Sequence, residues 1–182
     1  MGQSKLTLPI LHAYAAFGVQ FEWCDSKDVY GIHFENETDY TNNLYPFSNL
    51  LYTLKQKALD PDYDIGWKLL LRPLSALTTE IEYNGERFVP MLMLVDPDKT
   101  DWGKMKAVQY NPFKGIWPDK IYYKVEHSEL GEVITINPLN PLVLPYHLVQ
   151  KLLEWHFDLF GLLDSGDALP ITAPPSVNGD EK

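Results

Sequence analysis

The sequence predicts an α+β fold: a small antiparallel sheet with β-hairpins, packed against a C-terminal helix and one or two shorter helices. Three observations carry this expectation. Glu80-Ile-Glu-Tyr83 and Glu86-Arg-Phe-Val89 flank Asn84-Gly85, and Asn-Gly takes up the two positive φ values of a type I′ hairpin turn. Val19-Gln-Phe-Glu-Trp23 alternates apolar and polar residues, the two-residue period of a half-buried strand. After Pro145, the residues Leu148, Val149, Leu152, Leu153, Leu159 and Phe160 recur at helical spacing.

Along the chain, Pro9 to Ala16 reads as a short helix stopped by Gly18, because glycine tolerates the positive φ found just past a helix end. The strand at Val19–Trp23 turns through Cys24-Asp-Ser-Lys-Asp28 and returns as Val29 to Phe34. A polar loop, Glu35 to Asn43, comes next. Phe47 to Leu59 places Leu50, Leu51, Leu54 and Ala58 at helical spacing, and Asp60-Pro-Asp-Tyr-Asp64 ends it. Pro73 to Thr79 reads as one or two helical turns with Ser75 as N-cap, its hydroxyl accepting from a first-turn amide. The second hairpin strand runs on through Met91-Leu-Met-Leu-Val95, with Pro90 confining it to an edge or bulge. Residues 96–119 read as irregular, Lys120–His127 and Glu132–Ile136 as strands, and Asn137-Pro-Leu-Asn-Pro141 as a turn. Pro145 opens the last helix, where its missing N–H costs nothing, and Gly161 ends it. With no repeat and no internal linker, residues 1–171 read as one globular domain and 172–182 as a proline-bearing, disordered tail.

Composition narrows the function. Of 182 residues, 45% are hydrophobic and 22% charged, which is globular rather than disordered. Five Trp and eleven Tyr imply a bulky core or an adhesive surface. The net charge of −10 argues against DNA or RNA as a partner, since a phosphate backbone repels it. Only Arg72 and Arg87 supply guanidinium groups, and Lys104 and Lys106 are the nearest approach to a basic cluster. The same acidity admits an inhibitor that mimics nucleic acid. Cys24 is the sole cysteine, so an intramolecular disulfide and a thiolate metal cage are both excluded. Asp25 beside it disfavours a thiolate nucleophile. The N-terminal run is interrupted by Pro9 and His12 and is too short for a signal peptide, and Leu6 stands where a myristoylation motif needs Ser or Thr. No window reaches the roughly 18 apolar residues of a membrane span. A cytoplasmic protein without membrane contact is expected.

Tests for chemistry return no catalytic, cofactor-binding or metal-ligating assignment. Asp60-Pro-Asp-Tyr-Asp-Ile-Gly66 resembles the start of a calcium loop, but Ile65 occupies the glycine position and Leu71 the place of the bidentate glutamate. Asp96-Pro-Asp-Lys-Thr-Asp101 has carboxylates without a ligand framework. His12, His33, His127, His147 and His156 show no metal-binding spacing. A nucleophile elbow, a phosphate-binding glycine loop and a dinucleotide fingerprint are all missing. Asn36-Glu-Thr38 fits the glycosylation triplet, which without a secretion signal has no consequence.

The stretch Lys151-Leu-Leu-Glu-Trp-His-Phe-Asp-Leu-Phe-Gly161 concentrates suggestive side chains. Plotted at 100° per residue, Lys151, Glu154, Asp158 and His147 form a polar stripe facing water, with Trp155 on the rim of the apolar arc. His156 falls in the middle of that arc. A buried imidazole needs partners for both nitrogens, so His156 is expected either to bond a core carbonyl or hydroxyl, or to line a pocket as an acid, base or ligand.

Leu70-Leu-Arg-Pro-Leu-Ser-Ala-Leu-Thr-Thr-Glu-Ile-Glu-Tyr-Asn-Gly-Glu-Arg-Phe-Val-Pro90 and the closing Glu154 to Leu162 segment resemble signatures of small uncharacterised proteins of bacteriophages and prophages of Bacteroidetes-type gut bacteria. Ala13 to Phe21 is more loosely similar to their opening. The resemblance covers about a third of the chain and omits Val95 to Ile136. It implies a phage or prophage origin and brings no activity or site. The leading expectation is a non-enzymatic protein that binds a host or phage protein, with Trp102, Tyr110 and Trp117 as candidate anchors unless they fill the core. The rivals are an enzyme pocketing His156 with Glu80 or Glu82, a virion component, and the nucleic-acid mimic. No oligomeric state follows from the sequence.

Overall fold

A computed structural model describes residues 4–34, 43–60, 63–112, 114–116, 121–137 and 144–171. The loop expected at 35–43 (all but Asn43), the glycosylation triplet, most of the turn at 137–141 and the tail at 172–182 lie outside the described residues. In chain order the elements are α1 (Leu8–Ala15), β1 (Gln20–Trp23), β2 (Val29–His33), β3 (Leu44–Pro46), α2 (Phe47–Leu59), β4 (Trp67–Leu71), β5 (Ile81–Tyr83), β6 (Glu86–Phe88), α3 (Pro90–Val95), β7 (Met105–Tyr110), β8 (Tyr122–His127), β9 (Gly131–Ile136), α4 (Tyr146–Glu154), α5 (Leu162–Ser165) and β10 (Ala168–Pro170). Short 3-10 turns occupy Leu74–Thr78 and Trp102–Lys104. The chain is α+β, and its contacts gather into two compact units. One contains the chain up to Pro73 together with Pro145–Pro170; the other contains Leu74–Leu144.

The first unit is built on a five-stranded sheet in the order β10-β4-β1-β2-β3. Its centre is antiparallel, as the alternating β1 predicts: Phe21 faces Tyr30 on β2 and Leu69 on β4. Both outer pairings, β10 with β4 and β2 with β3, are parallel, so the sheet is mixed rather than purely antiparallel. Register puts Phe21, Trp23, Tyr30, Tyr45, Trp67, Leu69 and Leu71 on one face. Phe21, Trp67, Leu69 and Leu71 there are fully buried. The Phe21 ring lies within 5.6–5.9 Å of four other aromatic rings, three of them edge-on, the geometry that ring quadrupoles favour. On α2, Phe47, Leu50 and Leu54 turn inward at i, i+3 and i+7. Its Thr53 hydroxyl accepts from the indole N–H of Trp67 at 2.9 Å, so the buried tryptophan keeps its donor satisfied.

In the second unit, β5 and β6 form the hairpin expected at Asn84-Gly85, with φ of 52° and 78° at the two turn residues. A three-stranded antiparallel sheet, β7-β8-β9, buries Tyr123, Val125 and His127 on one face, where α3 and the Leu74–Thr78 turn pack. Leu77, Met91 and Leu92 complete that core.

Several expectations are corrected. Met91–Val95 is helix, not strand: Pro90 sits at the first helical position, where its fixed φ is pre-organised, and Met91 to Leu94, without branching at Cβ, lose little rotamer freedom in a helix. Ser75 lies inside the 3-10 turn rather than capping a helix. The supposedly irregular 96–119 contains β7, whose Met105-Lys-Ala-Val-Gln-Tyr110 alternates only weakly. Trp67-Lys-Leu-Leu-Leu71, read as no element from the sequence, is the fully paired β4.

Adding a Cβ at Gly85 meets nothing within 4 Å, so the cost of Gly85→Ala is purely conformational. It should be about 1–2 kcal/mol, measured as a lower urea midpoint at unchanged slope. An unaltered midpoint would show that the turn does not hold the I′ geometry.

Candidate functional site

The dense C-terminal motif is not one helix. α4 ends at Glu154, and His156 adopts φ +61°, a left-handed conformation uncommon outside glycine. His156 N–H donates to the Leu153 carbonyl and Phe157 N–H to the Leu152 carbonyl, both at 2.9 Å. These are the two bonds of a Schellman motif, with histidine standing where glycine is usual. Leu152 and Phe157, the residues such a motif brings near each other, are both fully buried. The helical wheel therefore holds only as far as Glu154. Asp158, expected in a solvent stripe, is 5% exposed, because the chain has already turned before it. Gly161 does not end this helix; it precedes α5, again with positive φ.

The turned segment is received by β4 and α1. Arg72 N–H donates to the His156 carbonyl at 2.8 Å, and Asp158 N–H donates to the Arg72 carbonyl at 2.9 Å. Arg72 Nε adds a bond to the Trp155 carbonyl at 3.1 Å. The Tyr14 hydroxyl donates to the Phe157 carbonyl at 2.8 Å and accepts from Leu159 N–H at 3.1 Å. Burial drives the Tyr14 pKa far above the ordinary tyrosine range; the Leu159 bond opposes this and the Asp158 charge reinforces it. The hydroxyl thus stays protonated and can bond in both directions. Asp158 accepts from Leu162 N–H at 2.8 Å and Leu163 N–H at 2.9 Å, capping α5 with its carboxylate.

His156 Nε2 lies 3.1 Å from the Phe17 carbonyl. A carbonyl can only accept, so Nε2 carries the proton. Burial lowers the His156 pKa, the Phe17 bond works against that, Arg72 lowers it further and Glu154 raises it. The imidazole is held neutral as a bridge between the end of α4 and the end of α1. Of the two expectations for this residue, the bonded core carbonyl describes its geometry.

A second polar knot ties the N-terminal strap to the α5–β10 turn. Asp167 accepts from Ser4 Oγ and Lys5 N–H at 2.7 Å, from Leu6 N–H at 3.3 Å and from Ser165 Oγ at 2.6 Å. Burial pushes its pKa upward, but the four donors outweigh burial and leave it below the usual carboxylate value.

In the second unit His127, 5% exposed, accepts at Nδ1 from Glu129 N–H at 3.1 Å and Leu130 N–H at 3.2 Å. This histidine organises the β8–β9 turn. Nearby, a depression of about 490 Å³ is lined by Lys104, Lys106, Glu126, His127 and Glu132. Glu82 pairs with Arg87 at 3.3 Å across the β5–β6 hairpin, and Glu80 is exposed. Trp102 is half-buried; its indole donates to the Asp96 carbonyl at 2.9 Å and Lys99 stands 5.1 Å above its ring. It is built into its own loop. Tyr110 is half-buried beside Tyr122, with ring centroids 5.9 Å apart. Trp117 lies outside the described residues. Among the described residues no group of three or more His, Cys, Asp or Glu is placed to hold a metal, and no helix is long and apolar enough to cross a membrane.

Sequence reasoning passed over Tyr14, Arg72, Asp158 and Asp167. Only Asp158, with a glycine three residues later, carried a local capping signal. The others act across more than 80 positions and leave no local trace.

Tyr14→Phe removes one hydroxyl and strands two buried backbone groups. It should lower stability by about 1–3 kcal/mol for each group left unpaired, read by urea denaturation; a loss under a few tenths would mean the joint is held elsewhere. For His156 the folded-state pKa lies below the ordinary 6.5. Its contribution is therefore complete above that value and is lost as pH falls through the folded pKa. His156→Gly should remove this loss and keep the turn, whereas His156→Leu should be less stable than His156→Gly by about 1–2 kcal/mol. Equal stability of the two variants, or an unchanged acid limb, would contradict that account.

Compared with known proteins, this chain matches no family model, no curated protein and no solved structure.

Proposed function

We propose that this chain is a small, acidic phage or prophage protein that acts in the bacterial cytoplasm by binding another protein, not by catalysing a reaction. One observation carries the reading. Tyr110 and Tyr122 sit side by side, half-exposed, on the face of the β7-β8-β9 sheet opposite its packed face. Tyrosine gives large, rigid, amphipathic contact area and is enriched at interface hot spots. Trp155, His156 and Asp158, the side chains that first suggested chemistry, are committed to burial and backbone bonding. The phage origin rests on the resemblance of Leu70–Pro90 and Glu154–Leu162 alone.

The test is affinity capture of the tagged full chain from lysate of a Bacteroidetes-type bacterium, then reconstitution with the purified candidate. A partner at fixed stoichiometry, bound with Kd of about 1 μM or tighter, is expected. A monomer that retains nothing across such lysates overturns the reading.

A further inference from the structure

The charge of this protein is not spread evenly along it. Residues 102–125 contain five lysines and one aspartate, a formal +4, which leaves −14 for the remainder of a chain whose total is −10. This stretch is the β7–β8 arm. Antiparallel register puts Lys106, Val108 and Tyr110 of β7 on the same face as Glu126, Lys124 and Tyr122 of β8, directly opposite one another in that order. The other face of β8, with Tyr123, Val125 and His127, is buried.

On the open face the cations are graded. Lys124 reaches over the Tyr110 ring, 4.7 Å from its centroid, while pairing with Glu126 at 2.6 Å and Glu132 at 3.9 Å. Lys106 stands opposite Glu126 and is exposed, and Lys114, just beyond the end of β7, is exposed with no carboxylate within ion-pair distance among the described residues. The acidic groups thus collect at the β8–β9 end. The end with Tyr110, Tyr122 and Lys114 presents two aromatic rings beside cations.

Building on the protein-binding reading above, we infer that this face docks an acidic segment of a partner protein, whose carboxylates meet Lys106, Lys114 and Lys124 while an apolar or aromatic side chain lies on the Tyr110–Tyr122 pair. Charge complementarity selects that occupant. A local +4 in an otherwise acidic molecule attracts carboxylates and steers their approach, and the strong net negative charge elsewhere turns away partners that are acidic throughout. The interaction must therefore weaken with salt.

The test uses the intact chain and a short fluorescein-labelled peptide of repeating Asp-Glu-Phe units, with a Lys-Lys-Phe peptide and an oligothymidylate as comparison arms, read by anisotropy. The acidic peptide should bind, lose affinity as salt rises, and bind about tenfold more weakly to the double variant Lys106→Glu, Lys114→Glu and to Tyr110→Ala. The double variant should melt as the wild type does, since Lys106 and Lys114 are exposed. No binding of the acidic peptide, equal binding by the variants, or tighter binding of oligothymidylate overturns the inference, the last assigning the face to nucleic acid. A natural partner captured equally by wild type and double variant overturns this docking face and leaves the protein-binding reading standing. Failure of the wild type to capture any partner counts against that reading itself.

Discussion

Between Trp155 and Leu159 the backbone is neither helix nor part of a regular sheet, yet it is largely buried, so each N–H and C=O there needs a partner. The Tyr14 hydroxyl supplies two of those partners and the Arg72 peptide and guanidinium supply three more. Without them, a stretch carrying Phe157 and Leu159 into the core would bring unpaired polar groups with it. The first unit depends on this joint because it is where α1, β4 and α4 converge. The left-handed turn at His156 directs the chain into the joint, and Asp158 then starts the next helix from within the same buried space.

The same logic governs the polar side chains in both units. His127, His156, Asp158 and Asp167 each direct their hydrogen-bonding capacity largely to main-chain groups at places where regular structure stops. A titratable residue used this way is fixed in one protonation state and one orientation, which suits a cap and not a proton shuttle. The surface of the β7–β8 arm is different. Its tyrosines and lysines contact side chains of the same open face, and their interaction capacity points outward.

How much of this was legible in the sequence depends on range. The Asn84-Gly85 hairpin, the α2 helix over Phe47–Leu59 and the β1–β2 pair are set by neighbours a few residues apart, and their periods declare them. β4 is a near-continuous apolar run, which reads equally as helix or strand until its partners β1 and β10 are known. α3 is apolar throughout in the same way, and only Pro90 signalled a helix start. The end of α4 was hidden because the residue in the left-handed position is histidine, not the glycine that announces such a stop, and the apolar pattern continues past it. The inward histidine was legible as a buried polar residue in need of a carbonyl. That the carbonyl belongs to Phe17, 139 positions away, was not.

The pairing of β10 with β4 carries a further consequence. Leu69 meets Ala168 about 100 positions later, and contacts of such span are the slow ones because a long loop must be closed before they form. The stretch inside that loop, Leu74–Leu144, holds a unit whose strands pair only with each other. During synthesis it emerges whole while the first unit is still missing α4, α5 and β10. The order of assembly is thereby inverted relative to the order of translation. The segment made in the middle can settle first, and the portion begun at the N-terminus waits, with the apolar faces of β1 and β4 uncovered, for the residues that arrive last.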